Sequence, residues 1–206
     1  MMMELLKLLE PETCAAFLDH QQQRIKAPNR KVAASMVIKR YAKESCDHIL
    51  PSMLWENKVK VVPLDAVSIS RELTVNIDDS KVFYVDTHEE GWKHLFANHL
   101  TRVLMAMHVT TNLPMIILWE NVAVRINSYF KKVVQNHPEY ETEIRTLFTE
   151  LHELKGRLFN QDAHPMKSYL SPVIAITEQH TRKTCCYYHK LDKEKELSHC
   201  LVCPLK

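Results

Sequence analysis

The chain has 206 residues, 46% of them apolar, and a formal net charge of +2, which is long enough to bury one core and too near neutral to argue for nucleic acid or an acidic membrane surface as a partner. Its two glycines, Gly91 and Gly156, exclude a glycine-rich phosphate loop, which needs several residues whose backbone can close on the ligand. The longest apolar run, around Leu113 to Trp119, is far short of the ~20 residues that span a bilayer, and the first residues lack the basic region and unbroken apolar stretch of a signal peptide, so a cytoplasmic protein that is not transmembrane is expected.

Residues 4–25 read as helix, with Leu5, Leu6, Leu8 and Leu9 in a first turn or two and Pro11 placed to open a second segment. Ala27-Pro28-Asn29 reads as a turn. The next helix carries Val32, Ala33, Met36, Val37 and Tyr41 on one face, and Pro51 is expected to end it. Its Lys31, Lys39, Arg40 and Lys43 read as a solvated face. From Lys58 to Asp86 the pattern changes to β-branched alternation, which predicts a small antiparallel sheet of three or four strands with Asp78-Asp79-Ser80 as a hairpin turn. Helical period returns from Glu89 to about His108. His88, His94, His99 and His108 in this stretch lack metal-ligand spacing and read as packing residues.

Thr110 to Pro114 marks a further helix start. The helix that follows places Asn121 and Arg125 four apart, on one face. His137-Pro138-Glu139 breaks that pattern, and Ile144 to Phe159 predicts a last amphipathic helix running past Gly156. Residues 160–180, interrupted by Pro165 and Pro172, read as a strand-and-loop connector that lays the tail back over the helical body. Residues 1–180 are thus expected to form an α+β body, mainly helical, and residues 181–206 a cysteine-rich C-terminal segment of the same structural unit.

That segment carries the chemistry. Cys185 and Cys186 are adjacent, Cys200 and Cys203 form a C-x-x-C, and thirteen residues separate the pairs. Thiolates are soft, anionic donors that hold zinc or iron–sulfur clusters. The C-x-x-C lets both sulfurs face one metal; the adjacent pair can do so only if the backbone turns sharply. Structural disulfides would suit a secreted protein, which nothing in the chain suggests, and four thiols in a charged tail make a poor core. Spacing alone leaves the metal open. Cys14 and Cys46, each isolated, read as packed thiols.

The run Arg182-Lys183-Thr184-Cys185-Cys186-Tyr187-Tyr188, followed by Cys200-Leu201-Val202-Cys203-Pro204-Leu205, resembles the C-terminal signature of the FhuF family of ferric-siderophore reductases. Leu118-Trp119-Glu120-Asn121-Val122-Ala123 is similar, more weakly, to that family's helical core. The resemblance implies a [2Fe–2S] cluster on Cys185, Cys186, Cys200 and Cys203, a ferric siderophore as substrate, and reduction of its Fe(III) to Fe(II). The gap between the pairs is longer than is usual there, and the extra residues fall in Leu191 to Leu197, expected to be a longer surface loop. Arg182, Lys183 and Lys190 would offset cluster charge, and Tyr187, Tyr188 and His189 would tune its potential through hydrogen bonding or burial. Arg125 is either a structural salt-bridge partner or, with Asn121, a border of the site. Without a nucleotide loop, electrons would come from a donor protein or a diffusible reductant. A non-catalytic zinc staple and an electron carrier with another acceptor are the competing readings.

Overall fold

The structure, a computed structural model, describes residues 2–191 and 198–206. It is mainly helical, with a few short antiparallel strands. In chain order it runs β1 (Met2–Glu4), α1 (Pro11–Arg24), α2 (Arg30–Trp55), β2 (Val59–Val61), β3 (Val67–Ser70), β4 (Val75–Ile77), β5 (Phe83–Val85), α3 (His88–Lys93), α4 (Thr101–Thr111), α5 (Met115–Asn136) and α6 (Glu141–Glu153). A 3-10 turn at Leu5–Leu9 links β1 to α1, and a π-helical stretch, His94–Leu100, joins α3 to α4 without a break.

Helix α5 is the central element, and α2 is its most extensive partner. Leu118, Val122, Ile126, Phe130 and Val134 recur every four residues along α5 and are all buried, so one face of the helix is a continuous apolar stripe. Its start follows a sharp reversal: Asn112 takes a left-handed conformation (φ 54) at the end of α4, which asparagine tolerates better than most residues, and Pro114 then caps α5. At its other edge, α5 meets α6 through Ile144, Leu147, Phe148 and Leu151. Trp92, Phe96, Phe159 and Trp119 form an aromatic chain, with centroid separations of 5.5, 4.5 and 5.7 Å between successive rings. Each such pair adds about 0.5–1.5 kcal/mol beyond the area it buries.

Pro51 does not end α2. The helix continues to Trp55 because Ile49, Leu50 and Met53 are buried and hold its last turns on the core. The hydrogen bond that proline forfeits would have gone to the carbonyl of Asp47, on the exposed face, where water can replace it. The strands also differ from a single sheet. They form a three-stranded sheet, β1-β3-β4, and a separate β2-β5 pair. Asp78-Asp79-Ser80 is therefore not a hairpin turn: Asp78 caps a 3-10 turn through Ser80, and β5 leaves to pair with β2, Val59 opposite Val85. The true hairpin is β3–β4, closed by Leu73 at φ 64 with the Ser70 hydroxyl accepting from the Glu72 and Thr74 amides. Helix α6 stops at Glu153, before Gly156, and the 160–180 connector contains 3-10 turns and loop but no strand among the described residues.

The histidines expected to be packing residues are spread through this body. His99, in the π-helical stretch, is buried between α2 and β2. Its Nδ1 lies 2.8 Å from the Val62 carbonyl, which can only accept, so Nδ1 carries the proton and Nε2 accepts from the Tyr41 hydroxyl. Burial pushes its pKa down to about 4. His88 bonds Glu150, His94 meets Asn98, and His108 bonds the Leu113 carbonyl; these four do not converge.

Candidate metal centre

The C-terminal segment is fixed to the body through α5. Glu120 is 1% exposed, and a buried carboxylate is costly unless its lone pairs are filled. Here they are filled by the tail. Glu120 accepts from the Lys183 amide at 2.6 Å, the Thr184 amide at 2.9 Å, the Thr184 hydroxyl, and the Arg182 guanidinium at 3.3 Å. Arg182 also donates to Asn121 Oδ1 at 2.7 Å and to the Thr184 carbonyl at 3.0 Å. Asn121 in turn donates to the Ser35 carbonyl and hydroxyl on α2, and the Ser35 hydroxyl donates to the Cys186 carbonyl at 2.9 Å. The three residues before the cysteine pair, and the pair's own backbone, are thus held by α5 and α2 together.

Beyond that anchor the chain turns sharply just after the adjacent cysteines. Tyr187 has φ 65, in the left-handed region. The turn aims backbone N–H groups at sulfur: Tyr187 N–H reaches Cys185 Sγ at 3.3 Å, and the Tyr188 N–H bonds Cys186. The C-x-x-C repeats the device, with the Leu205 N–H 3.4 Å from Cys203 Sγ and a Cys203 amide to Cys200 carbonyl bond of 3.1 Å. Three of the four sulfurs therefore receive an amide from two residues ahead. Such bonds stabilise thiolate over thiol and tune a bound metal. The two halves are tied to each other by the Arg182 amide on the Val202 carbonyl, 2.9 Å.

Cys186, Cys200 and Cys203 are buried and pack as one cluster, with Tyr188 and Val202 at its edge. Cys186 Sγ and Cys200 Sγ are 3.6 Å apart. A tetrahedral ion with metal–sulfur bonds of ~2.3 Å places its sulfurs about 3.8 Å apart, so this pair has the spacing of two ligands on one metal. The Cys200 thiol bonded to it pulls the Cys186 pKa down to about 5; burial opposes this, and Lys39 and Arg182 add to it. Cys200 is raised correspondingly, as the group that keeps the proton. Cys185 stands apart: half-buried, its sulfur lies 3.5 Å from His189 Nδ1. As the side chains stand, no three histidine, cysteine or acidic groups close on one point at ligating distance among the described residues. The donor chemistry nevertheless suits a thiolate-held metal: three sulfurs gathered out of water, amides on three, and a cation beside one.

That cation is Lys39, read from the sequence as part of a solvated face. Arg40 and Lys43 do pair along the exposed surface of α2 with Glu44 and Asp47. Lys39 instead points its ammonium at Cys186 Sγ, 3.6 Å away, and over the Tyr188 ring at 5.1 Å. Of the cations expected to offset cluster charge, Arg182 is paired with Glu120, Lys183 lies over Tyr169 and Lys190 over Tyr187. Arg125 is half-buried and donates from Nε to the Lys39 carbonyl at 2.9 Å; burial lowers its pKa, with Cys186 and Cys46 working against that. Asn121 and Arg125 do share the face that meets the tail, and in place of a carboxylate bridge Arg125 holds the α2 backbone. Cys14 and Cys46 are packed thiols far from this cluster in role: burial raises both, Cys46 to about 12.

A cleft of about 470 Å³ opens beside the cluster, walled by α2, α5, the connector and the C-x-x-C turn, with Cys200, Tyr188 and Lys39 in its lining. A pocket between the helical body and the tail is what the sequence leads one to expect, without its lining residues; the anchoring role of Glu120 was not expected, although the acidic residue stands amid apolar neighbours in α5. The extra residues between the cysteine pairs, expected to form a surface loop, fall largely at 192–197, outside the described residues. No family model matches the chain, and no curated protein matches it.

Proposed function

We propose that this protein is a ferric-siderophore reductase that uses a [2Fe–2S] cluster to reduce chelated Fe(III) to Fe(II) and so release iron. The observation that carries the reading is the gathering of Cys186, Cys200 and Cys203 beside an open cleft, with backbone amides and Lys39 directed at sulfur. Cys185, Cys186, Cys200 and Cys203 would hold the cluster, which when bound supplies one electron at a time. Siderophores grip Fe(III) through hard oxygen donors and Fe(II) far more weakly, so a single electron suffices to loosen the metal while the chelator survives.

The chain's own residues prepare that transfer. Glu120, Asn121 and Ser35 hold the tail backbone, so the sulfurs have little freedom left to lose when a metal binds. The amides of Tyr187, Tyr188 and Leu205 offset negative charge on sulfur, and the Lys39 ammonium does the same for Cys186. Burial of Cys186 and Cys200 keeps water from the metal, while the cleft brings an acceptor against the Cys200 side. The electron would arrive from a donor protein or a diffusible one-electron reductant.

A zinc clasp is the second reading, favoured by one observation: the 3.6 Å sulfur pair spans the two cysteine motifs, as a single tetrahedral ion would require. Single-turnover reduction decides between them. Chemically reduced, desalted protein is mixed anaerobically with a ferric siderophore, and Fe(II) is trapped with a ferrous-specific chelator. One Fe(II) per chain is expected. No Fe(II) above the protein-free control overturns the reductase.

A further inference from the structure

The cleft beside Cys200 has a charge pattern that selects among iron chelates. Lys39, Arg125 and Lys131 line it, beside Arg182, whose charge Glu120 meets, and Glu178 is its one acidic residue among the described residues. Lys39, Arg125 and Lys131 pair with no carboxylate among the described residues. The chain as a whole is near neutral, so this excess of cations over carboxylates in one concavity is local rather than a share of a basic surface. Arg125 is positioned from behind by the Lys39 carbonyl on its Nε, which leaves its terminal nitrogens for other acceptors. Val124, Leu201 and Val202 supply apolar wall between the charges. The volume, about 470 Å³, falls in the ~300–1,000 Å³ range of small-molecule sites.

We propose that this cleft binds a ferric chelate of net negative charge, one carrying catecholate or free carboxylate oxygens, in preference to a neutral tris-hydroxamate. The inference rests on the reductase reading for the iron but on the cleft alone for the charge. Lys39 is central to it. The ammonium both lines the cleft and lies 3.6 Å from Cys186 Sγ, so it stands between a thiolate centre and a bound anion that would otherwise repel each other. A neutral chelate would need no such cation, and would cover the positive charge of the cleft without supplying an anion to meet it.

Equilibrium binding of gallium(III) chelates to the full chain tests this. Gallium(III) has the charge of Fe(III) and is not reduced, so binding is read apart from electron transfer. Three probes are titrated by calorimetry: a trianionic tris-catecholate, a carboxylate-bearing dihydroxamate anion, and a neutral tris-hydroxamate. Affinity should follow negative charge and weaken with added salt. Lys131→Gln, on a partly exposed side chain, should weaken the trianion roughly tenfold and the neutral chelate by less than about twofold. Glu178→Gln should tighten the trianion by a few-fold. Equal affinity for neutral and anionic chelates, or a Lys131→Gln variant indistinguishable from the native chain, overturns the proposal. So does the metal-free carboxylate-bearing dihydroxamate binding as tightly as its gallium chelate. If the trianion binds in this way to a protein that holds no iron–sulfur centre, the cleft assignment stands and the reductase falls. If ferric chelates are reduced without regard to charge, the reverse holds.

Discussion

Replacing Glu120 by glutamine keeps the shape of the side chain and removes its charge. The carboxylate accepts from two amides, a hydroxyl and a guanidinium. A glutamine has one accepting oxygen, and its NH₂ must face one of those donors. The Arg182 side chain is fully buried and Glu120's nearly so; leaving one member of a buried pair without its partner costs about 3–5 kcal/mol. The body does not have to absorb that cost, because the tail can leave α5 and return Arg182 to water. The expected result is therefore local. Amide exchange at Lys183 and Thr184 should accelerate on the order of a hundredfold, equivalent to about 3 kcal/mol, while the urea midpoint of the body moves little. Exchange mass spectrometry on peptides covering 180–190 reads the first and intrinsic fluorescence the second. Glu120→Gln combined with Arg182→Met should recover part of the protection, since no unpaired charge then remains. Tail exchange within threefold of the native chain in the single variant would refute the assignment of Glu120 as the anchor.

His99 gives the fold a pH dependence. Its folded pKa, about 4, is depressed by burial below the ordinary 6.5, so as pH falls below 6.5 the unfolded chain takes up the proton first. Stability present above about pH 6.5 should decline as pH approaches 4, by about 3 kcal/mol in all. His99→Gln should be less stable at pH 7 yet flatter across that window in urea titrations, and an unchanged slope would contradict the buried neutral imidazole. At Gly91 an added methyl group would run into Val59 Cγ1 and crowd Met53 Cε, so Gly91→Ala should lose about 1–3 kcal/mol by overpacking, with Val59→Ala restoring part of it. Serine at Cys185, Cys186, Cys200 or Cys203 should lower bound metal per chain in elemental analysis, whereas Cys14→Ala and Cys46→Ala should retain it.

What could be read from the sequence follows what local pattern encodes. The four-residue apolar recurrence in α5 and the i, i+3, i+4 stripe of α6 declare helices because period alone sets the face. A sharp bend at the adjacent cysteines was legible as a condition for their sharing a metal; Tyr187 turns left-handed just after them, while Cys185 stands apart from the other three sulfurs. Strand pairing was not: β4 and β5 are neighbours in sequence, but only tertiary contact with β2 decides that they belong to different sheets. Pro51 misled because packing of Ile49, Leu50 and Met53 outweighs one lost hydrogen bond. Lys39 and Glu120 show the same limit at the site. A lysine in a helical charge pattern and an acid in an apolar run have no local sign of their partners, which lie about 150 and 60 residues away in the chain.

An anaerobic visible and EPR spectrum of the purified protein, with iron and acid-labile sulfide determined on the same sample, bears most directly on the metal. A [2Fe–2S] reductase gives charge-transfer bands that bleach with dithionite, an EPR signal in the reduced sample, and about two irons and two sulfides per chain. A colourless protein holding one zinc and no sulfide would contradict it, and would make the C-terminal cysteines a clasp for the tail.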